Sequence, residues 1–195
     1  NSIFKDHALG ILKGNPEFIH SKELLNIYWP PGEFAMIKLF QENKVSKALI
    51  DKDAIYTAEG TPMQALSNIV IGQIVPYVGK YGISKNPESF AVFSNRKYFA
   101  DKNRGLILRL SSGQGGGDGL TPISEYGMRS FFRDNLKQSV NIVGTYDEDK
   151  QNYNLTLNGK TISFSEDVKG WTSLKSFLPE SGISLDSGYY TFYNK

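Results

Sequence analysis

Between Tyr81 and Ser124 the chain reads as three or four short strands in close succession, each separated from the next by a turn signal. Ser89–Phe93 (SFAVF) opens after Asn86-Pro87, and Arg96–Asp101 (RKYFAD) opens after Ser94-Asn95. Gly105–Leu110 (GLILRL) follows Lys102-Asn103-Arg104, and Leu120–Ser124 (LTPIS) follows a Gly-rich loop. Strands of about five residues at intervals of about ten, broken by Asn, Asp, Gly and Pro, predict an up-and-down antiparallel sheet. Four such strands side by side match one blade of a β-propeller.

The same reading extends along the chain. Ser21–Ile27 (SKELLNI) predicts a short helix with Ser21 as N-cap, ended by Trp29-Pro30-Pro31-Gly32. Glu33–Gln41 and Lys47–Thr57 read as two strands joined by the polar stretch Glu42–Ser46, with a break at Ala58–Pro62. Met63–Val78 fits a buried strand pair or a short helix, since period alone does not type a short apolar run. Met128, Phe131, Phe132 and Leu136 fall at helical spacing within Glu125–Ser139, predicting an amphipathic helix that starts near Ser124 or Glu125 and packs outside the sheet. Strands resume at Asn141–Tyr146, Asn152–Leu157 and Lys160–Ser165, and Asn158-Gly159 between the last two is a strong hairpin signal. Gly170–Phe177 reads as irregular with a helical turn, the residues after Leu178-Pro179-Glu180 as a turn region, and Tyr189–Tyr193 as a strand. The expected fold is mainly β with a few short helices, in antiparallel blade-like sheets. Residues 1–80 form an N-terminal mixed β region. Residues 81–195 form blade-like units, with the helix near 125–139 between them.

Composition narrows the function classes. The chain of 195 residues is long enough to bury a core, and its 12 Phe and 11 Tyr favour β structure. The net charge of +2 comes from basic and acidic residues spread along the chain, so no dedicated nucleic-acid grip is indicated. The absence of Cys excludes disulfides, thiolate metal sites and cysteine nucleophiles, and fits assembly in a reducing cytosol. Ile69–Val78, the longest apolar stretch, is interrupted by Gly, Gln and Pro and is too short to span a bilayer. The opening residues carry no signal-peptide pattern. Beginning at Asn1 and stopping within an apparent strand, the chain reads as a piece of something longer.

Candidate chemistry is sparse. Ser112–Gly119 (SGQGGGDG) has the glycines of a phosphate cradle but lacks the Lys-Ser/Thr of a P-loop and leads into no helix. A flexible hairpin is the better reading. Asp147, Glu148, Asp149 and Asn152 lack the alternating ligands, central Gly and terminal Glu of a calcium loop, so they read as a solvated turn. His7 and His20 have no identifiable partners for a metal site or a triad. Trp171, Phe131-Phe132 and Tyr189-Tyr190 offer stacking surfaces for sugars or bases, or, more commonly in a β protein, core and subunit contacts.

The stretch YGISKNPESFAVFSNRKYFADKNRGLILRLS, with DGLTPISEYGM, FFRDNL, GTYDEDKQNYNLTL and ISFSEDVKGWTSLKSFLPESGISLDSGYYTF after it, resembles a segment of large virion structural proteins of tailed bacteriophages. It is similar to tail proteins of the nozzle or muzzle kind, which carry β-propeller blades at the distal end of a short tail. The resemblance covers residues 77–195, with KGWTSLKSFLPE the most specific wording. The loop Ser111–Gly117 is longer than the turn expected there, and similar proteins continue past Lys195 into another strand. The resemblance implies a non-enzymatic structural subunit. Such a subunit is assembled in the host cytoplasm and located in the virion tail. There it forms a ring with copies of itself around the DNA exit channel, contacting other virion tail proteins and, transiently, exiting DNA. It implies no membrane span, no cofactor, no metal and no catalytic residue. The alternative is a receptor- or carbohydrate-binding tail module using Trp171 and exposed tyrosines; a glycan-cleaving propeller enzyme is the weakest reading.

Overall fold

The computed structural model describes residues 24–28, 36–49, 54–56, 62–64, 74–112, 119–186 and 188–193, with the backbone alone at 24–28, 36, 49, 54–56 and 62–64. The chain divides into two compact units, Asn1–Tyr77 and Val78–Lys195. Among the described residues the structure is mainly β, in antiparallel sheets, with a single α-helix.

In the first unit, β1 (Leu24–Tyr28), β2 (Met36–Gln41), β3 (Val45–Leu49) and β6 (Ile74–Pro76) form a four-stranded sheet in that order. Between β3 and β6, β4 (Ala54–Tyr56) and β5 (Pro62–Gln64) form a separate hairpin. The helix expected over Ser21–Ile27 is a strand where it is described. A seven-residue helix closes few hydrogen bonds of its own, whereas β2 pairs with Leu24 and, past a register shift, with Asn26–Tyr28. The single strand expected over Lys47–Thr57 is two strands, because β3 pairs with β2 and β6 while β4 pairs with β5. Of the Met63–Val78 alternatives, the described ends are strands.

The second unit holds two four-stranded meanders. In the first, β7 (Ala91–Phe93), β8 (Arg96–Asp101), β9 (Leu106–Ser111) and β10 (Gly119–Pro122) pair in sequence order. Every residue of β8 after Arg96 is buried, so both of its faces are covered. This explains why RKYFAD does not alternate cleanly. A 3-10 turn at Ile123–Glu125 leads into helix α1 (Arg129–Gln138). The helix therefore starts later than Ser124 or Glu125, with Met128 at its N-cap. In the second meander, β11 (Ile142–Asp147), β12 (Asn152–Leu157), β13 (Lys160–Ser165) and β14 (Gly170–Lys175) again pair in sequence order. Asn158 (φ 46°) and Gly159 (φ 66°) make the left-handed two-residue turn that the Asn-Gly pair predicts.

Two regions read as irregular are strands. β14 was hidden by a bulge: Phe164 faces Trp171 but Ser163 faces Ser173, so Thr172 is an extra residue that breaks the alternation. The turn region after Pro179 is β15 (Ser181–Leu185), which pairs with β16 (Gly188–Phe192). Its Gly and Ser residues face β11 closely, as shown below, so they carry no hydrophobic strand signal.

The core of the second unit lies between the two meanders. Ala91, Tyr98, Ala100 and Ile107 from the first meet Ile142, Tyr146, Tyr153, Leu155, Leu157, Ile162 and Phe164 from the second. Phe132 and Leu136 of α1 are buried in the same cluster, with Met128 and Phe131 packed at its margin, so the expected apolar face is the one used. Burying a Phe or Leu side chain stabilises by about 1.5–3 kcal/mol, so this cluster dominates the unit's stability. Among the described residues no helix is long and apolar enough to cross a membrane.

Candidate functional site

The first strands of successive sheets stack on one another. β11 lies against β7 on one side and against β15 on the other. Glycines permit both approaches. A Cβ on Gly144 of β11 would overlap the Ser89 carbonyl and come within 2.8 Å of Tyr153 Oη. A Cβ on Gly182 of β15 would come within 3.0 Å of Thr145 Cγ2. Without side chains at these positions the backbones approach and exchange polar contacts. Tyr153 Oη donates to Ser89 O at 2.8 Å, Ser184 Oγ donates to Tyr146 O at 2.9 Å, and Glu148 N donates to Ser184 Oγ at 3.1 Å.

An aromatic ladder runs through the first of these contacts. Phe93 stacks on Tyr146 at 4.4 Å between ring centroids, Tyr146 on Tyr98 at 5.6 Å, and Tyr98 on Tyr153 at 4.9 Å. Four strands from two sheets thus contribute to one stack. Offset aromatic pairs add about 0.5–1.5 kcal/mol beyond the area they bury.

An ionic clamp closes the same interface at Glu166, in the turn between β13 and β14. Its side chain is only 8% exposed. Tyr98 Oη donates to Glu166 Oε1 at 2.7 Å, and Arg109 Nη1 donates to Oε2 at 2.5 Å. Arg96 Nη1 stands 3.9 Å from the same oxygen. Tyr98 and Arg109 are directly opposed in the β8–β9 pair, so the ladder register places both donors before one carboxylate. Burial, and then the bond to Glu166, push the Tyr98 phenol well above its ordinary range. Burial, followed by the Glu166 charge, pushes Tyr146 up to about 12, and burial alone raises Tyr153 strongly. All three phenols therefore stay protonated at neutral pH, Tyr98 and Tyr153 as hydrogen-bond donors. The cluster joins the two sheets.

A second buried carboxylate organises the β8–β9 turn. Asp101 is fully buried, and its Oδ1 accepts from Ser84 Oγ and Arg104 N while Oδ2 accepts from Gly82 N and Arg104 Nη1. Four donors around one carboxylate satisfy its charge.

The residues singled out in the sequence fall elsewhere. His7, His20 and residues 113–118 of the Gly-rich loop lie outside the described residues. Of the acidic cluster, Asp147 is buried and accepts from Lys150 N at 3.0 Å, tying down the turn, while Glu148 and Asp149 are exposed. No group of three or more His, Cys, Asp or Glu among the described residues is placed to hold a metal ion. Trp171 is packed between Phe132, at 4.5 Å, and Phe164, at 5.3 Å, and its Nε1 donates to Ile123 O. Tyr189 leans on Thr145, Oη to Oγ1 2.5 Å, whereas Tyr190 is exposed. A groove of about 740 Å³ beside the Asn158-Gly159 turn is lined by Lys85, Glu88, Val140, Leu178 and Glu180 among others, and its mixed charges favour no one ligand class.

Sequence reasoning missed Glu166, Arg109 and Tyr98. The signal for Arg109 is a lone charge inside the apolar strand GLILRL, which marks a buried charge needing a partner, while Glu166, in a turn, carries none. Compared with known proteins, the chain matches no family model and no curated sequence.

Proposed function

We propose that the chain is a structural subunit of a bacteriophage virion, of the tail nozzle or muzzle type, whose second unit is an arc of β-propeller blades. One observation carries the blade reading: the first strands β7, β11 and β15 of successive antiparallel units stack on one another in chain order. In a propeller the first strand of each blade lines the axis beside the first strands of its neighbours, and the blades pack face to face. β7–β10 and β11–β14 are then two blades, and β15–β16 is the first half of a third. A propeller needs about four or more blades, so further blades close the ring.

The tail assignment rests on the resemblance of residues 77–195 to virion tail proteins. The stacked tyrosines and the Glu166 clamp suit it, because they are contacts between sheets that resist shear. In this role the subunit works through assembly, with copies of itself and neighbouring tail proteins around the DNA exit channel. Immunogold electron microscopy of intact particles, with antibodies against residues 81–195, tests the assignment. Label at the tail supports it; label nowhere on the particle removes it. The rival glycan-binding reading relied first on Trp171, which is committed to the core. A glycan array probed with the full chain decides what remains of it.

A further inference from the structure

Charges that are dispersed along the sequence of the second unit are sorted in space by its meanders. Helix α1 lies across one end of both sheets. Gly105 in the β8–β9 turn sits against Arg133, where a Cβ would come within 2.8 Å of Arg133 Cα. Asn158 Nδ2 in the β12–β13 turn donates to Asn135 O at 3.0 Å, and Lys102 Nζ donates to Ser139 O at 2.6 Å. Arg129, Arg133 and Lys137 are exposed and recur every four residues, so they form one stripe along the helix. The β8–β9 turn sets Lys102 and Arg104 beside that stripe. Two carboxylates offset these five cations: Asp134, bonded to Arg133, and the buried Asp101, bonded to Arg104. The turns at the other end of the sheets are of opposite character, exposing Glu148, Asp149 and Asp167 against Lys150 and Lys169.

The stripe works against the helix that carries it. Like charges four residues apart repel, and they do so twice here. Arg129 stands at the first helical position, beside the positive end of the macrodipole. No acidic residue occupies the first turn, and no side chain caps it. Natural sequences break such local rules where a function requires it. The exposed residues of α1 also say what kind of partner fits. They are Arg129, Ser130, Arg133, Asp134, Lys137 and Gln138, and none is apolar. A helix that lies on a membrane needs an apolar face, and a protein interface needs a buried apolar or aromatic anchor. A row of phosphates needs only cations.

We infer that the α1 stripe, with Lys102 beside it, is a contact for the phosphate backbone of duplex DNA, made without regard to base sequence. The eight-residue step from Arg129 to Lys137 is about 12 Å along the helix, the width of the major groove, so its two ends reach phosphates on either side of that groove. Arg133 and Arg104 already hold carboxylates, which leaves Lys102, Arg129 and Lys137 as the three cations that displace counterions from the duplex. The contact stands on this charge geometry. Its failure leaves the tail reading untouched, and failure of the tail reading leaves the contact in place.

The test is fluorescence anisotropy of a labelled DNA duplex of about 20 bp and arbitrary sequence, titrated with the full chain at several salt concentrations. Three phosphate contacts give a slope of log Kobs on log salt of about −2.7, an affinity loss of about 40-fold between about 50 and about 200 mM salt. Arg129→Gln with Lys137→Gln should reduce the slope to about −0.9 and the loss to about 3.5-fold. Lys150→Gln with Lys169→Gln removes the same charge from the opposite end and should leave the slope unchanged. If the α1 double variant melts below the parent chain, Arg129→Gln alone, at an exposed position, should still lower the slope by about 0.9. No binding at the lowest salt overturns the proposal. So do a slope that the α1 variants leave unchanged, equal losses from both pairs, and binding to polyglutamate in place of the duplex.

Discussion

Removing the Glu166 carboxylate tests whether the two meanders are held by a specific clamp or by apolar contact alone. In Glu166→Ala, Tyr98 Oη and Arg109 Nη1 lose their acceptor inside the interface, where Tyr98 is fully buried and the Arg109 side chain is 19% exposed. Breaking a buried pair by deleting one partner costs about 3–5 kcal/mol, and the partial access of Arg109 to water places the expected loss near the lower end, about 3 kcal/mol. Glu166→Gln keeps an acceptor for Tyr98 but loses the charge opposite Arg109, and should cost about half as much. Urea unfolding followed by tryptophan fluorescence reads this directly, because Trp171 sits in the affected core. A Trp29→Phe background removes the other tryptophan of the chain. With a slope of about 2 kcal/mol/M, a 3 kcal/mol loss moves the midpoint by about 1.5 M. In a Tyr98→Phe background, Glu166→Ala should cost less by roughly the 1.5–3 kcal/mol of one charged hydrogen bond. A midpoint shift below about 0.5 M for Glu166→Ala, or full additivity with Tyr98→Phe, would refute the clamp.

Further outcomes follow from the same contacts. Gly144→Ala should destabilise by at least about 3 kcal/mol, since the obstruction at Ser89 is backbone and cannot rotate away, while Gly119→Ala, which meets nothing within 4 Å, should be near neutral; thermal melts of the two variants separate these cases. Asp101→Ala strips the acceptor from four donors and should cost about 3 kcal/mol or more in urea unfolding, with Arg104→Ala costing less. Stability should hold up to the unfolded tyrosine value near pH 10 and fall above it, as the unfolded chain releases phenol protons that the fold retains; the loss from Tyr146 is complete only above its folded value of about 12. Urea midpoints at pH 9, 10 and 11 check the sign, and Tyr153→Phe should flatten the fall, because that phenol is also raised by burial.

Local chemistry made much of this protein legible in its sequence. Arg96–Asp101, Asn152–Leu157 and Lys160–Ser165 are strands over those same residues, because turn residues bound them and, in the last two, Asn-Gly sets a two-residue hairpin by itself. The helix face was equally readable, since Phe132 and Leu136 fall one turn apart with Met128 and Phe131 beside them. Where the sequence misled, the cause was a partner distant along the chain. Leu24–Tyr28 is a strand because β2 completes its hydrogen bonds, and Gly170–Lys175 is a strand because β13 tolerates a bulge opposite Ser163-Phe164. Ser181–Leu185 looked like a turn because its Gly and Ser residues are small for the sake of β11, a requirement invisible from its neighbours in sequence.

The clamp belongs to the tertiary structure altogether. The Tyr98–Glu166 and Arg109–Glu166 pairs span 68 and 57 residues, and no spacing rule joins positions so far apart. Backbone propensity and turn chemistry act over a few residues, so the sequence alone determined the turn-bounded strands, the Asn158-Gly159 hairpin and the apolar face of the helix. Which strand borders which, which glycine admits a neighbour's backbone and which carboxylate a buried arginine meets depend on close packing between sheets. Only the folded chain decides those.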